Sequence, residues 1–177
     1  MSVGKRIFLQ RHMPDPEIMK EFKTIPASNV GDVMNRNSAM NPRIHLVSSP
    51  SNQMMVGPAL TVKLRAGDNL ALHAALNICR EGDVLVVSNE GEQGRALIGE
   101  VMMAYLMCTK KVAGIVLDGP IRDIDEIGKC GTFLSTPLGL RPAVRTKRDP
   151  VKLTCLSAVG KSWWTPETSS WPIQTVW

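Results

Sequence analysis

The stretch EGDVLVVSNEGEQGRALIGEVMMAYLMCTKKVAGIVLDGPIRD, residues 81–123, decides the fold. Val84–Val87 and Gly114–Leu117 are short, continuous apolar runs, which are typical of strands that are buried on both faces. Between them, a Gly-rich loop leads into the Met- and Leu-rich segment Ala96–Cys108, which predicts a helix. Strand, helix and strand in this order predict a βαβ unit with two parallel strands.

The residues upstream extend this pattern. Met54–Leu64 predicts a further strand, with a bulge or an edge at Gly57 and Pro58, and Gly67–Arg80 predicts a helix. Ser28 is a candidate N-cap for a helix that begins near Asn29. A chain of 177 residues and 19.4 kDa is long enough for one ordinary domain with a sizeable core. We therefore expect a single α/β domain.

The charge is distributed unevenly along the chain. The net charge is +5, but residues 1–136 hold 15 basic and 14 acidic side chains, whereas residues 137–177 hold 6 and 2. All four tryptophans also lie in residues 137–177. The nearly neutral first part has no basic and aromatic surface of the kind that binds nucleic acid, so we expect no nucleic-acid partner.

Apolar runs and cysteines indicate the compartment. No apolar run approaches the roughly 18 to 20 residues of a membrane span, and the first eleven residues lack a signal-type apolar core. The four cysteines form no CxxC pair and have no histidine at metal-ligand spacing: Cys79, Cys108, Cys130 and Cys155. We expect a cytoplasmic protein with buried, reduced thiols and no membrane partner.

Two loops follow the carboxyl ends of the predicted parallel strands, where ligands bind in such sheets. Residues 89–100 lead into a helix whose first backbone N–H groups can bind a carboxylate or phosphate, although the glycines there can also serve turns and close packing alone. In residues 118–126, Arg122 can grip a carboxylate and Asp123 can ligate a hard cation such as Mg²⁺. A surface ion pair or a turn-stabilising aspartate explains the same two residues. Glu100 is either an acid that holds metal-bound water or an ordinary first-turn glutamate.

The sequence resembles the RraA-like family in five ordered motifs, which are GPALTV (57–62), GDNLALHAAL (67–76), EGDVLVV (81–87), GE (99–100) and GIVLDGPIRDIDEI (114–127). This family includes 4-hydroxy-4-methyl-2-oxoglutarate aldolases, which also decarboxylate oxaloacetate, and regulators of ribonuclease activity. The resemblance implies a swivelling β/β/α-type domain and a homotrimer with sites near the subunit contacts.

The resemblance also implies roles for individual residues. The helix start that binds substrate through backbone amides corresponds to four residues, Gly99, Glu100, Val101 and Met102, and the substrate-binding arginine corresponds to Arg122. Asp123 corresponds to the ligand of a divalent metal cation, Mg²⁺ or Mn²⁺. The implied activity is class II cleavage of a small 2-keto acid to pyruvate, in which Arg122 and Glu100 are catalytic. The alternatives are a regulator that binds a ribonuclease without catalysis, or an inactive truncated member.

One spacing departs from the family pattern. Aldolase members have an acidic residue, twenty residues, and then Arg-Asp, whereas twenty-one residues separate Glu100 from Arg122. Val101 occupies the strict position. We interpret the extra residue as part of a longer loop at 109–111, which keeps Glu100 in place.

The end of the chain departs further. The resemblance is strongest over residues 24–136, which predicts an RraA-like domain over residues 1–136 and an atypical tail over 137–177, with the C-terminal strands lost or replaced. In a shifted reading frame, codon degeneracy allows residues 162–171 to encode a Val-rich Pro-Gly-Asp ending like that of the family. We therefore predict a frameshift near residues 136–140, the alternative being a divergent natural extension. Sequencing of the genomic locus distinguishes them, because the alternative frame must encode that ending.

Overall fold

The computed structural model describes residues 7–11, 13–34, 40–48, 54–129, 133–135 and 172–175. The helices are α1 (Pro16–Phe22), α2 (Ala27–Val33), α3 (Leu70–Ile78), α4 (Glu100–Ala104), which continues into a π-helical turn (Tyr105–Thr109), and α5 (Ile124–Ile127). The strands are β1 (His45–Ser48), β2 (Met55–Lys63), β3 (Val84–Ser88), β4 (Gly114–Asp118), β5 (Phe133–Ser135) and β6 (Pro172–Thr175). None of the helices in these ranges is long and apolar enough to cross a membrane.

The described strands form one six-stranded sheet in the order β1-β5-β4-β3-β2-β6. Strands β2, β3, β4 and β5 are parallel, and β1 and β6 join the two edges in the antiparallel direction. The βαβ prediction is confirmed, since β3 and β4 pair in parallel with Val84 opposite Gly114. The α/β fold class is also confirmed. The boundary at residue 136 and the frameshift stay predictions, and most of the tail lies outside the described residues.

The core explains why the two central strands are apolar without interruption. Successive side chains of a strand point to opposite faces of the sheet, so a sheet covered on both faces needs apolar residues at every position. One core cluster takes Leu85, Val87, Ile115 and Leu117 together with side chains of the helices, including Leu72, Met103 and Leu106. The other cluster takes Val84, Val86 and Val116 together with Met40, Ile44, Met55 and Ala59.

One local prediction was wrong, and a second was wrong in part. Helix α2 begins at Ala27, with Pro26 as its N-cap and no side-chain cap bond, so Ser28 lies within the first turn. No bulge occurs at Gly57 and Pro58, since both residues pair with β6 in continuous register, but neither pairs with β3, whose ladder with β2 begins at Ala59. Gly57 serves a close approach instead, since a Cβ there would overlap the carbonyl oxygen of Gly82.

A buried ion pair ties the N-terminal segment to the turn before β3. Arg11 Nη2 lies 3.0 Å from Asp83 Oδ2, and the two side chains are only 8% and 0% exposed. The same carboxylate oxygen accepts the backbone N–H of Arg80 at 2.8 Å. Because 72 residues separate the partners, this contact closes a long loop of chain.

Loss of the Asp83 carboxylate leaves a buried guanidinium without its counter-charge. We expect Asp83→Ala to lower the free energy of unfolding by about 3 kcal/mol, the usual cost of breaking a buried pair from one side. Urea denaturation measures this. The double variant Arg11→Met/Asp83→Ala should lose less free energy of unfolding than the two single variants lose together, because it leaves no unpaired buried charge. A single variant within 0.5 kcal/mol of wild type, the scatter of ordinary surface changes, would contradict this assignment.

The expectation for the thiols holds only in part. Cys79 is buried, and burial raises the pKa of its thiol to about 11, whereas Cys108 is exposed. Cys130 and Cys155 lie outside the described residues. Since the thiolate is the nucleophile, a raised pKa keeps Cys79 protonated and unreactive at pH 8.

We therefore expect iodoacetamide at pH 8 to alkylate Cys108 in the native protein and Cys79 only after denaturation. Peptide mapping by mass spectrometry resolves the two sites. Equal labelling rates under native conditions would contradict the burial of Cys79.

Candidate active site

Two loops at the carboxyl edge of the sheet are held together by backbone hydrogen bonds. The N–H of Leu97 donates to the carbonyl oxygen of Pro120 at 3.0 Å, and the N–H of Arg122 donates to that of Ile98 at 3.1 Å. Ile98 and Ile121 form a parallel bridge between these two contacts. Residues 96–99 are therefore not helical, and the helix predicted from Ala96 begins four residues later, at Glu100.

This pairing brings two predicted site residues to one glycine. A Cβ on Gly99 would lie 2.8 Å from both Arg122 Nε and Asp123 Oδ2. The guanidinium and the carboxylate also form an ion pair, with Nε 3.5 Å from Oδ2. Their side chains are 73% and 46% exposed, so both face the solvent at the carboxyl edge of the sheet. A side chain at position 99 would therefore displace Arg122 and Asp123.

The backbone at Asp123 explains how neighbouring side chains come to share one place. Asp123 has φ 62° and ψ 41°, the left-handed conformation, and it is the N-cap of α5. Its carbonyl oxygen accepts the N–H groups of Glu126 and Ile127 at 3.2 and 3.0 Å. Asp and Asn adopt this conformation more readily than other residues with a Cβ. The reversal turns the carboxylate back toward Glu100, whose N–H donates to Oδ2 at 3.4 Å.

The beginning of α4 lines a cleft of about 160 Å³ beside this pair. The cleft holds all six residues that the sequence predicts for the site, namely Gly99, Glu100, Val101, Met102, Arg122 and Asp123. Three further lining residues, Ala96, Leu97 and Ile98, belong to the predicted loop 89–100, and only Asn69 lies outside the segments that the sequence indicated for the site. The first hydrogen bond of the helix runs from the N–H of Met103 to the carbonyl oxygen of Gly99. The N–H groups of Val101 and Met102 therefore have no acceptor within the helix. Asn69 had no signal in the sequence that pointed to the site, because it lies inside the segment 67–80 that predicts a helix, whereas the structure makes it the N-cap of α3.

The helix that begins at Glu100 contains a π-helical turn before the loop at 109–111. Residues Tyr105–Thr109 form a π-helical turn, in which the N–H of Lys110 donates to the carbonyl oxygen of Tyr105 at 3.0 Å. A π-turn holds one residue more than an α-turn at the same position. This turn offers a place for the additional residue next to the loop at 109–111, and the placement of that residue stays a prediction. Glu100 is the first residue of α4, with an exposed side chain.

An ion pair anchors the strand that carries the second loop. Asp118, the last residue of β4, is fully buried and accepts Arg43 Nε at 2.8 Å and Nη2 at 2.6 Å. The hydrogen bond to Asp118 raises the pKa of Arg43. This bidentate contact fixes the strand end four residues before Arg122, and no sequence pattern indicates it beyond a turn-forming Asp-Gly-Pro.

The donor set for a cation consists of few protein groups. Among the described residues, no three His, Cys, Asp or Glu side chains lie together as a metal-binding group. Asp123 supplies one exposed carboxylate next to the cleft, with Glu100 beside it. Mg²⁺ keeps several waters and binds through one or two carboxylates together with substrate oxygens. The arrangement fits a hydrated divalent cation and does not fit a metal enclosed by protein ligands.

The contacts at Gly99 give a direct prediction. Its φ of −131° and ψ of −178° suit any residue, so Gly99→Ala adds only the clash with Arg122 and Asp123. We expect this variant to retain the thermal stability of wild type, because the displaced side chains are exposed. A reaction catalysed in this cleft should slow about 100-fold, the usual consequence of moving reacting groups by about 1 Å. Melting temperature and steady-state rate, measured on one preparation, check both parts, and unchanged turnover would contradict the geometry.

Comparisons with known proteins agree with the fold. The family model RraA-like (Aldolase/RraA) matches residues 27–160. A protein from Halalkalibacterium halodurans named "Putative 4-hydroxy-4-methyl-2-oxoglutarate aldolase" is 34% identical over 108 residues, 61% of this chain and 50% of its own length. A protein from Arabidopsis thaliana with the same name, numbered 3, is 35% identical over 92 residues, 52% of this chain and 54% of its own length. The chain thus spans about half the length of these curated relatives.

A solved structure has a fold similar to that of this chain. The crystal structure of RraAS2 from Streptomyces coelicolor, described as an unusual member of the RNase ES inhibitor RraA protein family, superposes with a TM-score of 0.64. It is 22% identical and covers 77% of this chain and 70% of its own. At this identity the similarity shows the fold alone.

Proposed function

Since the chain belongs to the RraA-like family, we propose that the cleft at Gly99, Arg122 and Asp123 is the active site of a divalent-metal-dependent class II aldolase. The proposed reaction cleaves 4-hydroxy-4-methyl-2-oxoglutarate to pyruvate, with decarboxylation of oxaloacetate as a side activity. The observation that carries the proposal is the position of Arg122 Nε and Asp123 Oδ2, both 2.8 Å from a Cβ position at Gly99. The names of the two curated relatives support the same reaction.

The substrate's 2-keto acid end is held by positive and polar groups of this chain. Arg122 donates two parallel N–H bonds to the carboxylate, a bidentate pairing that adds geometric specificity as well as energy. The backbone N–H groups of Val101 and Met102, which have no acceptor within the helix, donate to the same end of the substrate. Gly99 leaves the space that the substrate needs beside both.

The chemical step is a retro-aldol cleavage. The bond between C3 and C4 breaks, its electron pair passes to C3 and the keto oxygen, and the 4-hydroxyl loses its proton to a base. C4 becomes the keto carbon of one pyruvate, and protonation of C3 gives the other. Asp123, with Glu100 nearby, would hold the divalent cation, which as a Lewis acid stabilises the developing enolate. Arg122 adds fixed positive potential where that charge develops, and Glu100 orients the base.

We also propose a homotrimer as the working assembly. Apolar side chains remain exposed around the cleft, with Val101 82%, Leu70 54% and Ile124 47% accessible. Exposed apolar residues beside a cleft are typical of a subunit contact. Sedimentation equilibrium of the purified protein tests the trimer, and a monomer at all concentrations would contradict it.

Release of pyruvate, coupled to lactate dehydrogenase, tests the proposed activity. We expect turnover of 4-hydroxy-4-methyl-2-oxoglutarate in Mg²⁺ or Mn²⁺ that stops on chelation and resumes when the metal is restored. Absence of metal-dependent turnover would refute the aldolase. It would favour the alternative, a regulator that binds a ribonuclease and catalyses no reaction.

A further inference from the structure

A second cleft opens beside the candidate active site. Its volume is about 460 Å³, and six residues line it, namely Arg65, Ala66, Gly67, Asp68, Asn69 and Arg95. Asn69 also lines the cleft of Arg122 and Asp123, so the two clefts meet at this side chain. Ala96, the residue after Arg95, lies in the first cleft. A single elongated molecule can therefore reach from one to the other.

Buried hydrogen bonds hold the walls of this second cleft. Asn89 is fully buried, and its Oδ1 accepts the N–H of Gly67 at 2.9 Å while its Nδ2 donates to the carbonyl oxygen of Glu92 at 2.8 Å. One side chain thus fixes the loop after β2 to the loop after β3. Gly67 has φ +71°, and a Cβ there would lie 3.1 Å from Cδ of Arg95. The Arg95 side chain therefore packs over Gly67, a position at which any other residue would be strained.

The charges in this cleft are not balanced. Arg65 and Arg95 line it against one acidic residue, Asp68, whose Oδ1 accepts the N–H of Leu70 at 2.9 Å. The neighbouring carboxylate of Glu92 accepts the N–H of Gly94. Within the described part of the chain, neither arginine forms a salt bridge with a carboxylate. Two unpaired guanidinium groups in one cleft are suited to a carboxylate ligand, which arginine binds in a bidentate manner.

We propose that Arg65 and Arg95 form a second anion subsite, which binds the carboxylate at the far end of the substrate from its 2-keto acid group. The inference rests on the proposed function, whose two substrates are both 2-keto dicarboxylates, and it assigns the recognition of their distal carboxylate to these two arginines. The keto acid end lies at Arg122, and the chain of the substrate passes Asn69 to the two arginines. A 2-keto acid without the second carboxylate leaves this subsite empty.

Calorimetric titration with two matched ligands tests the subsite. The probes are 2-oxoglutarate and 2-oxopentanoate, which share the keto acid end and the chain length and differ in the distal carboxylate. We expect wild type in Mg²⁺ to bind 2-oxoglutarate at least about tenfold more tightly, since a charge-assisted hydrogen bond contributes at least that factor. Arg65→Gln and Arg95→Gln should each remove most of this preference and leave the Kd of 2-oxopentanoate within about twofold.

Arg80→Gln is the matched control. Arg80 is an exposed arginine at the opposite edge of the sheet, before β3, and the preference for 2-oxoglutarate should survive its replacement. Equal binding of the two ligands by wild type, or equal weakening of both in Arg95→Gln, would overturn the subsite. So would failure of both ligands to bind.

Parallel assays of pyruvate release separate this inference from the proposed function. Selective binding of 2-oxoglutarate without turnover of 4-hydroxy-4-methyl-2-oxoglutarate would refute the aldolase and support the dicarboxylate subsite. Metal-dependent turnover together with equal binding of the two probes would support the aldolase and overturn the subsite.

Discussion

Replacement of Arg122 by glutamine is expected to lower kcat/KM for pyruvate release by about 100- to 1000-fold, the range observed when one preorganised donor to a developing oxyanion is removed. Arg122 lies at the carboxyl edge of the sheet with its side chain 73% exposed, and its backbone N–H donates to the carbonyl oxygen of Ile98. Glutamine keeps a polar side chain and the backbone contact but removes the charge and the bidentate geometry. The loss is therefore in chemistry and binding, and the melting temperature should stay unchanged.

Arg122→Lys separates charge from geometry. Lysine restores a cation but acts as a single point charge, so it should recover only a small part of the lost activity. Arg80→Gln, which removes an exposed arginine far from the cleft, should retain full turnover. Activity in Arg122→Gln within a factor of three of wild type would show that substrate binds elsewhere.

Replacement of Asp123 by asparagine is expected to abolish the metal dependence of the reaction together with at least about 99% of turnover, since the carboxylate is the proposed ligand of the cation. Asparagine suits this position because it tolerates the left-handed backbone at φ 62°, which alanine would strain. The effect is thus on the carboxylate and not on the fold of the loop.

Binding of Mn²⁺ measured by electron paramagnetic resonance gives a readout of this variant that does not require turnover. We expect the Mn²⁺ affinity to fall in Asp123→Asn. Asp125→Asn, an exposed aspartate two residues further in the first turn of α5, is the matched control and should bind Mn²⁺ as wild type does. Equal affinity in wild type and Asp123→Asn would place the cation at other residues.

The elements that build the sheet could be predicted because their sequence pattern is local. Val84–Val87 and Gly114–Leu117 are apolar at every position, and the structure gives each strand neighbours on both faces. The start of α4 could not be predicted in the same way. Leu97 and Ile98 continue a helical apolar pattern, but their backbone groups bond to Pro120 and Arg122, a tertiary contact that overrides local preference.

The candidate site was predictable as a set of residues and not as a geometry. Adjacent Arg and Asp side chains usually diverge, and it is the left-handed backbone at Asp123 that brings them together at Gly99. The pairs Arg43 with Asp118 and Arg11 with Asp83 connect positions more than 70 residues apart, so no local pattern indicates them. Arg65 and Arg95 likewise line one cleft although they lie on two loops, which a buried asparagine joins.

The measurement that tests the central claim most directly is the rate of pyruvate release from 4-hydroxy-4-methyl-2-oxoglutarate by wild type and Asp123→Asn in the same Mn²⁺ titration. The site described above predicts a saturable, Mn²⁺-dependent rate for wild type and a rate at background for the variant at every concentration. Turnover by the variant at the wild-type rate, or no turnover by wild type at any concentration, would contradict it.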